Sequence, residues 1–589
     1  MGDMVVIDEQ IFTDIADAIR DRNGEETTYK PREMAEAVED LHNVRPKKWT
    51  RPSDWPDYSK VDLTDQEVIY LTYDCSYDSR WCSVKVSGAY TVERGSLNNG
   101  VFTSVYSANQ ASASTFQQQL PTNEGTYVVY RITPQEGAHI TSFRFMQVTD
   151  SESNSAFAVW WHPCIERYAR LPNMTGSLVD WSTRLMVADT VMDMAPNNMT
   201  NAFNNGGNSL HYIDYSKSSF KNVTTFLNVF YNQYVLSECY LPHDVTNKCT
   251  IFQSIFNNCY ALNNIDLSGW DTSNGTNFSN MFRGCRELIE IKGIEDFDVS
   301  NATTLANMFD GCYMLRKLDI SKWVTTDELT ALNAVFQNLY QISELDVSGF
   351  NTENVTNFSN MFSGCQNAEV INVSNLIVSN KVTSLASMFS YCRKLRTIIR
   401  NRDWDTSNVT SFDSMFRECK LLQNINLSDF DFSKATTVRY MFIQCNALRK
   451  IKGTFNFPLI TNKTNVQDFA SNCWQLEDIS EMSITNSTYM PSFAYDYSIL
   501  YFRMPVVTNL ADYCLRDMNH IRYFDFRDYT SVPALAAYTD INAGKNTKMK
   551  IIVPDDLYDT WIAATNWSNT NIKQHIISAS DYEASLVTE

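Results

Sequence analysis

The chain has 589 residues, 44% of them hydrophobic, and a formal net charge of −20. That length exceeds one compact core and predicts several domains or a repeat array, and the apolar content excludes a disordered chain. With a pI near 4.8 and no basic stripe, no nucleic-acid partner is expected, because phosphate binding needs clustered Lys and Arg.

Residues 1–42 read as a short helical hairpin. Ile11, Ile15 and Ile19 recur every four residues on one face, with Asp8 as N-cap and Gly24 as stop. Pro31 opens a second helix at a favoured first position, and Met34, Val38 and Leu41 follow on it. Two helices this short have little core of their own. Their six apolar residues are expected to dock on a partner or on copies of themselves, as in a homo-oligomer such as a trimer. The stretch from Ile15-Ala16-Asp17-Ala18-Ile19-Arg20 to Lys30-Pro31-Arg32-Glu33-Met34-Ala35 resembles N-terminal segments of bacteriophage tail- and baseplate-associated proteins. That resemblance implies a virion protein docked to other virion proteins through these helices. Residues 1–11 lack a basic stretch followed by an apolar run, so no signal peptide is expected, and no run is long enough to span a bilayer. Assembly in the host cytoplasm and release by lysis fit this pattern.

Residues 43–60 form a linker made semi-rigid by Pro46, Pro52 and Pro56. Its Arg51-Pro52-Ser53-Asp54-Trp55-Pro56 run is similar to one in phage structural proteins. From 61 to 170 the chain alternates like strands, as in Val68-Ile69-Tyr70-Leu71 and Tyr127-Val128-Val129-Tyr130, and predicts a β-sandwich-like middle domain.

Residues 171–550 repeat. Cys259, Cys285, Cys312, Cys365, Cys392, Cys419, Cys445 and Cys473 follow one another at steps of 26, 27, 53, 27, 27, 26 and 28, with Leu339 filling the gap in the long step. A Met-Phe pair precedes the slot, as in Met361-Phe362. An L-x-x-I-x-L strand follows it, as in Leu262, Ile265 and Leu267. A polar turn closes the unit, as in Trp404-Asp405-Thr406-Ser407-Asn408. A short helix holding Met361 and Phe362, capped by Thr356, is expected to turn Phe362 and Cys365 inward. One unit cannot bury these groups alone, but stacked units can. Most of the 14 cysteines sit in this slot, which favours reduced core residues over disulfides. The pattern resembles BspA-type leucine-rich repeats and implies a large leucine-rich-repeat-like α/β solenoid of the kind used for adhesion and surface recognition. Residues 551–589 are expected to cap it, with Trp561 and Trp567 over the last rung.

No zinc-binding His cluster, phosphate-cradling glycine loop or nucleophile elbow occurs. Neither enzyme activity nor a metal or cofactor is expected, although a glycosidase carboxylate pair could hide among 68 acidic residues. Cys75 and Cys82 read as plain structural residues. The candidate ligand site is the outward row of the repeat strands: Asp266, Asp319, Asp346, Asn372 and Asn426. It reads either as a solvated sheet face or as a polar ladder that recognises a glycan or protein. Trp270, Trp323, Phe350, Trp404 and Phe430 recur in register and read as core. The function expected is host attachment by a tail or baseplate protein. The alternatives are a head fibre or decoration protein with a structural role, and a bacterial surface adhesin.

Overall fold

The computed structural model describes residues 56, 58, 61, 67–74, 83–110, 115–116, 127–144, 164–171, 189–194, 198–203, 210–400, 404–496, 498–536, 546 and 548–588. The expected hairpin with Ile11, Ile15, Ile19, Met34, Val38 and Leu41 lies outside them, as do Cys75 and Cys82. The chain divides into two compact units. The first comprises Met1–Asp271, Phe282–Gly293 and Cys312–Leu315, and the second Thr272–Met281, Ile294–Gly311 and Arg316–Glu589.

The first unit contains β1 (Val68–Asp74), β2 (Ser83–Val86), β3 (Tyr90–Asn98), β4 (Val101–Gln110), β5 (Thr115–Phe116), β6 (Tyr127–Pro134), β7 (Ile140–Arg144), β8 (Cys164–Leu171), β9 (Asp189–Met194), β10 (Tyr212–Asp214), β11 (Glu238–Tyr240), β12 (Asn264–Asp266) and β13 (Glu290–Lys292). Eight of these form one sheet in the order β11-β10-β9-β8-β1-β6-β3-β4, and β5-β2-β7 form another. This corrects the expected separate sandwich ending at residue 170. β8 pairs antiparallel with β1 through its first edge and parallel with β9 through its second. The solenoid therefore starts on an edge that the antiparallel strands already offer, and that edge is not left open. Alternation in the sequence marks strands but not which edges meet. Tyr58, Val61, Val68, Tyr70, Leu97 and Val129 form a buried cluster on this sheet.

The solenoid turns differ from the expected strand–helix units. No helix holds Met361 and Phe362. Asn360 and Gly364 adopt φ of 59° and 79°, a left-handed conformation that interrupts any α-helix. The Phe362 N–H donates to Met388 O at 2.9 Å, and the Gly364 N–H to Ser390 O at 2.7 Å, one turn further along the chain. Thr356 caps nothing; its N–H donates to Thr330 O at 3.3 Å. The same pair of left-handed residues recurs as Ser387 and Tyr391 and as Ser414 and Glu418 in the second unit, and as Asn228 and Asn232 in the first. Turn-to-turn backbone bonds thus replace the bonds a helix would make within itself, and the fold is a β-solenoid. Asn is common at these positions because its short polar side chain tolerates the left-handed region.

The second unit carries β14 (Val370–Asn372), β15 (Thr397–Ile399), β16 (Asn424–Asn426), β17 (Lys450–Asn456), β18 (Met482–Thr485), β19 (Tyr501–Arg503), β20 (Asn509–Leu510), β21 (Tyr523–Asp525), β22 (Ala534–Leu535), β23 (Lys550–Val553) and β24 (Ile576–Ser578). Strands of successive turns pair parallel where they pair, as in Ile371↔Ile398 and Ile425↔Ile451. β24 pairs with β23 and leads into helix Ala579–Thr588.

Each core is columnar. In the first unit Phe203, Phe230, Phe256 and Phe282 stack at 5.5, 5.5 and 5.6 Å. In the second, Phe336, Phe362, Phe389, Phe416 and Phe442 stack at 5.5–5.7 Å with ring planes within 17°. The column ends at Phe469, whose ring stands at 85° to Phe442. Offset stacking adds to the area each ring buries. Trp270, Trp323, Phe350, Trp404 and Phe430 are all buried. Trp561 and Trp567 pack edge-to-face on each other and on Phe526.

The polar turn stitches neighbouring turns together. Thr406, 1% exposed, donates through Oγ1 to Asp431 O (3.1 Å) and accepts from the Asp431 N–H (2.7 Å). Thr352 does the same with Ile377. Asp405 folds its own turn by accepting from the Ser407 N–H and hydroxyl.

Candidate recognition faces

The five outward residues share one local geometry. In each, Oδ1 accepts the backbone N–H two residues on. Asp266 accepts from Ser268 at 3.0 Å, Asp319 from Ser321 at 3.2 Å and Asp346 from Ser348 at 2.9 Å. Asn372 accepts from Ser374 at 3.1 Å and Asn426 from Ser428 at 3.0 Å. This Asx turn bends the chain back toward the core. The row therefore has a fold-building task that strand alternation did not reveal. It also remains open to solvent: Asp319, Asp346 and Asn426 are exposed, and Asp266 and Asn372 half-buried.

Asp266 belongs to the first unit; the other four belong to the second. On the first unit's face, Lys292 Nζ donates to Asp266 Oδ2 at 2.6 Å. Burial works to raise the Asp266 carboxyl, but the bonds from Lys292 and Ser268 outweigh it and hold the group down at about 2. His243 Nδ1 lies 2.6 Å from Ser268 O. Tyr212 and Tyr240 stand 5.6 Å apart, and Tyr240 is 45% exposed. Asp266, Lys292, His243 and Tyr240 border a cleft of about 760 Å³ that also takes in Glu238 and Glu290. Sequence reasoning named Asp266 here and missed the tyrosines, because they sit before the cysteine-slot pattern becomes regular.

On the second unit's face the charges pair with one another. Lys450 Nζ meets Asp478 at 3.0 Å, and Lys452 Nζ meets Glu481 at 2.6 Å. The Ser480 hydroxyl and Lys450 hold the Asp478 carboxyl down at about 2. Further along, Arg503 grips Asp528 with two N–H donors at 2.8 and 2.6 Å. Arg527 Nη2 donates to the buried Asp525 at 2.8 Å. Among the described residues, no group of three or more His, Cys, Asp or Glu is placed to hold a metal ion, and no helix is long and apolar enough to cross a membrane.

Residues 197–290, 286–376 and 366–482 match the family described as "Mycoplasma protein of unknown function, DUF285". No curated protein matches. One similar solved structure is a leucine-rich repeat protein from Eubacterium ventriosum, 11% identical, covering 64% of this chain and 90% of that one with a TM-score of 0.28. Over residues 197–482 the chain is similar to the DUF285 family, and its described turns there stack as a repeat solenoid.

Proposed function

We propose that the protein is a phage virion component for host attachment, binding a cell-surface glycan or protein through its strand faces rather than converting a substrate. The observation that carries this reading is the outward row. Its Asx oxygens serve the fold, yet Asp319, Asp346 and Asn426 stay exposed, and in the first unit the exposed Tyr240 borders a cleft with Asp266 and Lys292. Solenoids bind along such surfaces. The likeness of residues 15–35 to tail- and baseplate-associated proteins supports docking through residues 1–42 to other virion proteins. The test uses the full chain, fluorescently labelled, on a panel of cells. Saturable adherence to some strains and competition with infecting phage are expected. A protein that adheres to none leaves only the structural virion reading. Ile15→Asp with Ile19→Asp should keep adherence and lose incorporation into particles; normal incorporation removes the docking role.

A further inference from the structure

Two residues before the cysteine slot, several turns of the second unit carry a small side chain: Ser363, Ser390 and Ser471 stand there, all buried. In the Cys419 turn that position is Arg417, which is half-buried. Turn-to-turn backbone bonds set what surrounds it. The Tyr391 N–H donates to Arg417 O at 2.6 Å, and the Ser414 N–H to Arg439 O at 2.9 Å. The Arg417 guanidinium lies over the rings of Tyr391 and Tyr440, 5.1 and 5.6 Å from their centroids. Arg393 lies 5.9 Å from the Tyr391 centroid, and Arg439 5.6 Å from that of Tyr440. Three guanidiniums thus share two tyrosine rings, with Arg417 in the middle.

The outer two guanidiniums have carboxylates and the middle one does not. Arg393 Nη2 lies 3.0 Å from Glu418 Oε2, and Lys420 Nζ lies 3.7 Å from the same oxygen. Arg439 Nε donates to Asp413. The Arg417 side chain makes no hydrogen bond or ion pair among the described residues. Its Nε is buried, whereas Nη1 and Nη2, equally unpartnered, keep contact with solvent. The same sandwich recurs in the second unit with an acid in place. Arg516 lies 5.7 and 5.2 Å from the Tyr495 and Tyr513 centroids, and its Nε is 3.3 Å from Asp517 Oδ2. Arg417 also precedes an acid, but Glu418 is held by Arg393 and Lys420. Arg393, Arg417, Lys420 and Arg439 therefore meet two carboxylates, a local excess of positive charge on a chain whose net charge is −20.

We propose that Arg417, held between Tyr391 and Tyr440, binds an oxyanion, phosphate or carboxylate, carried on a glycan polymer. A guanidinium is planar and always charged, and its Nη donors form a fork that matches two oxygens of either anion. The tyrosine rings attract the cation and orient the fork before the ligand arrives, so less freedom is lost on binding. The excess of cations over carboxylates favours an acidic ligand over a neutral one. The −20 charge of the whole chain disfavours contact of a long acidic polymer with other faces. This makes the glycan of the recognition reading above an acidic one, and rests on that reading.

The test is binding of the full chain to immobilised phosphomannan and polygalacturonate, with neutral mannan and methyl-esterified polygalacturonate as matched controls. At least one acidic polymer should bind, and its neutral counterpart should bind at least roughly tenfold more weakly. Which acidic polymer binds tells phosphate from carboxylate. Arg417→Gln removes the charge and the fork and should weaken binding roughly tenfold or more, the worth of one charge-assisted pair. Arg516→Gln, in the sandwich that has Asp517, should leave affinity unchanged. Thermal melting shows that each variant folds. If Arg417→Gln does not, Arg417→Lys takes its place, keeping the charge without the fork, and should weaken binding several-fold. No binding of either acidic polymer, equal binding of the neutral counterparts, unchanged affinity in the Arg417 variant, or equal losses at Arg417 and Arg516 would overturn the proposal. Adherence to cells by a wild-type protein that ignores both acidic polymers overturns this site alone; absent adherence overturns the host-attachment reading as well.

Discussion

The Cys392 thiol donates to the carbonyl oxygen of Phe362 at 3.1 Å, in the preceding turn of the second unit. The same bond joins Cys365 to Phe336, Cys419 to Phe389, Cys445 to Phe416 and Cys473 to Phe442, and in the first unit Cys259 to Phe230 and Cys285 to Phe256. Where a cysteine follows in the same turn, the Phe carbonyl also accepts its N–H, as Phe362 O does from Cys365 at 3.1 Å. The slot asks for a small group with one weak donor, which is why cysteine recurs. Cys392→Ala should lower stability by about 1–2 kcal/mol, from the lost donor and the small void. Cys392→Ser, which keeps a donor, should not exceed that loss. Denaturant unfolding of the two variants checks this.

These thiols should also be inert while the fold stands. Burial pushes Cys365 and Cys445 up to about 12, and the eleven cysteines whose side chains are described are all free and buried. A maleimide should react slowly with native protein and quickly after denaturation without reductant. Rapid native labelling of Cys365 or Cys445 would contradict the burial.

The phenylalanine column predicts a position effect. Phe389 is stacked on both sides, at 5.7 Å from Phe362 and from Phe416. Phe203 opens the described column of the first unit, stacking on Phe230 at 5.5 Å. Phe389→Ala should cost about 3–5 kcal/mol and Phe203→Ala less, because a mid-column loss weakens two turn interfaces. Equal losses of thermal stability would contradict turn-by-turn coupling.

The Asx turns set how the outward row must be probed. Asp319→Ala removes the acceptor of the Ser321 N–H and should lower the melting temperature. Asp319→Asn keeps that acceptor, as Asn372 and Asn426 show, and should leave melting unchanged while removing the charge. A glycan or protein that reads charge on this face should therefore lose affinity in the Asn variant. Reduced binding seen only with Ala reflects the turn.

Acid should loosen the strand faces in a defined window. Asp266 and Asp478 are held at about 2, below the unfolded aspartate value of about 3.9. A depressed carboxyl contributes stability above the unfolded value, and that contribution fades as pH falls from about 4 through 2. Both side chains are 39% exposed, so solvent screening keeps each contribution small. Melting measured from pH 6 to pH 2 should show a decline confined to the lower half. In Asp478→Asn that decline should be shallower.

The spacing of cysteine, Met-Phe and L-x-x-I-x-L determined the repeat, its inward residues and the burial of its tryptophans, because a stack of identical turns must write its period into the chain. The path of the backbone between Phe and Cys was not legible. Apolar spacing there suits a short helix as well as a pair of left-handed turns, and only bonds such as Phe362 N–H to Met388 O select between them. The Asx role of Asp319 was equally hidden, since alternation says that a residue faces outward and not what its oxygen accepts. Tertiary structure alone also decided that β8 serves β1 and β9 at once, because strand pairing joins residues that no local pattern connects.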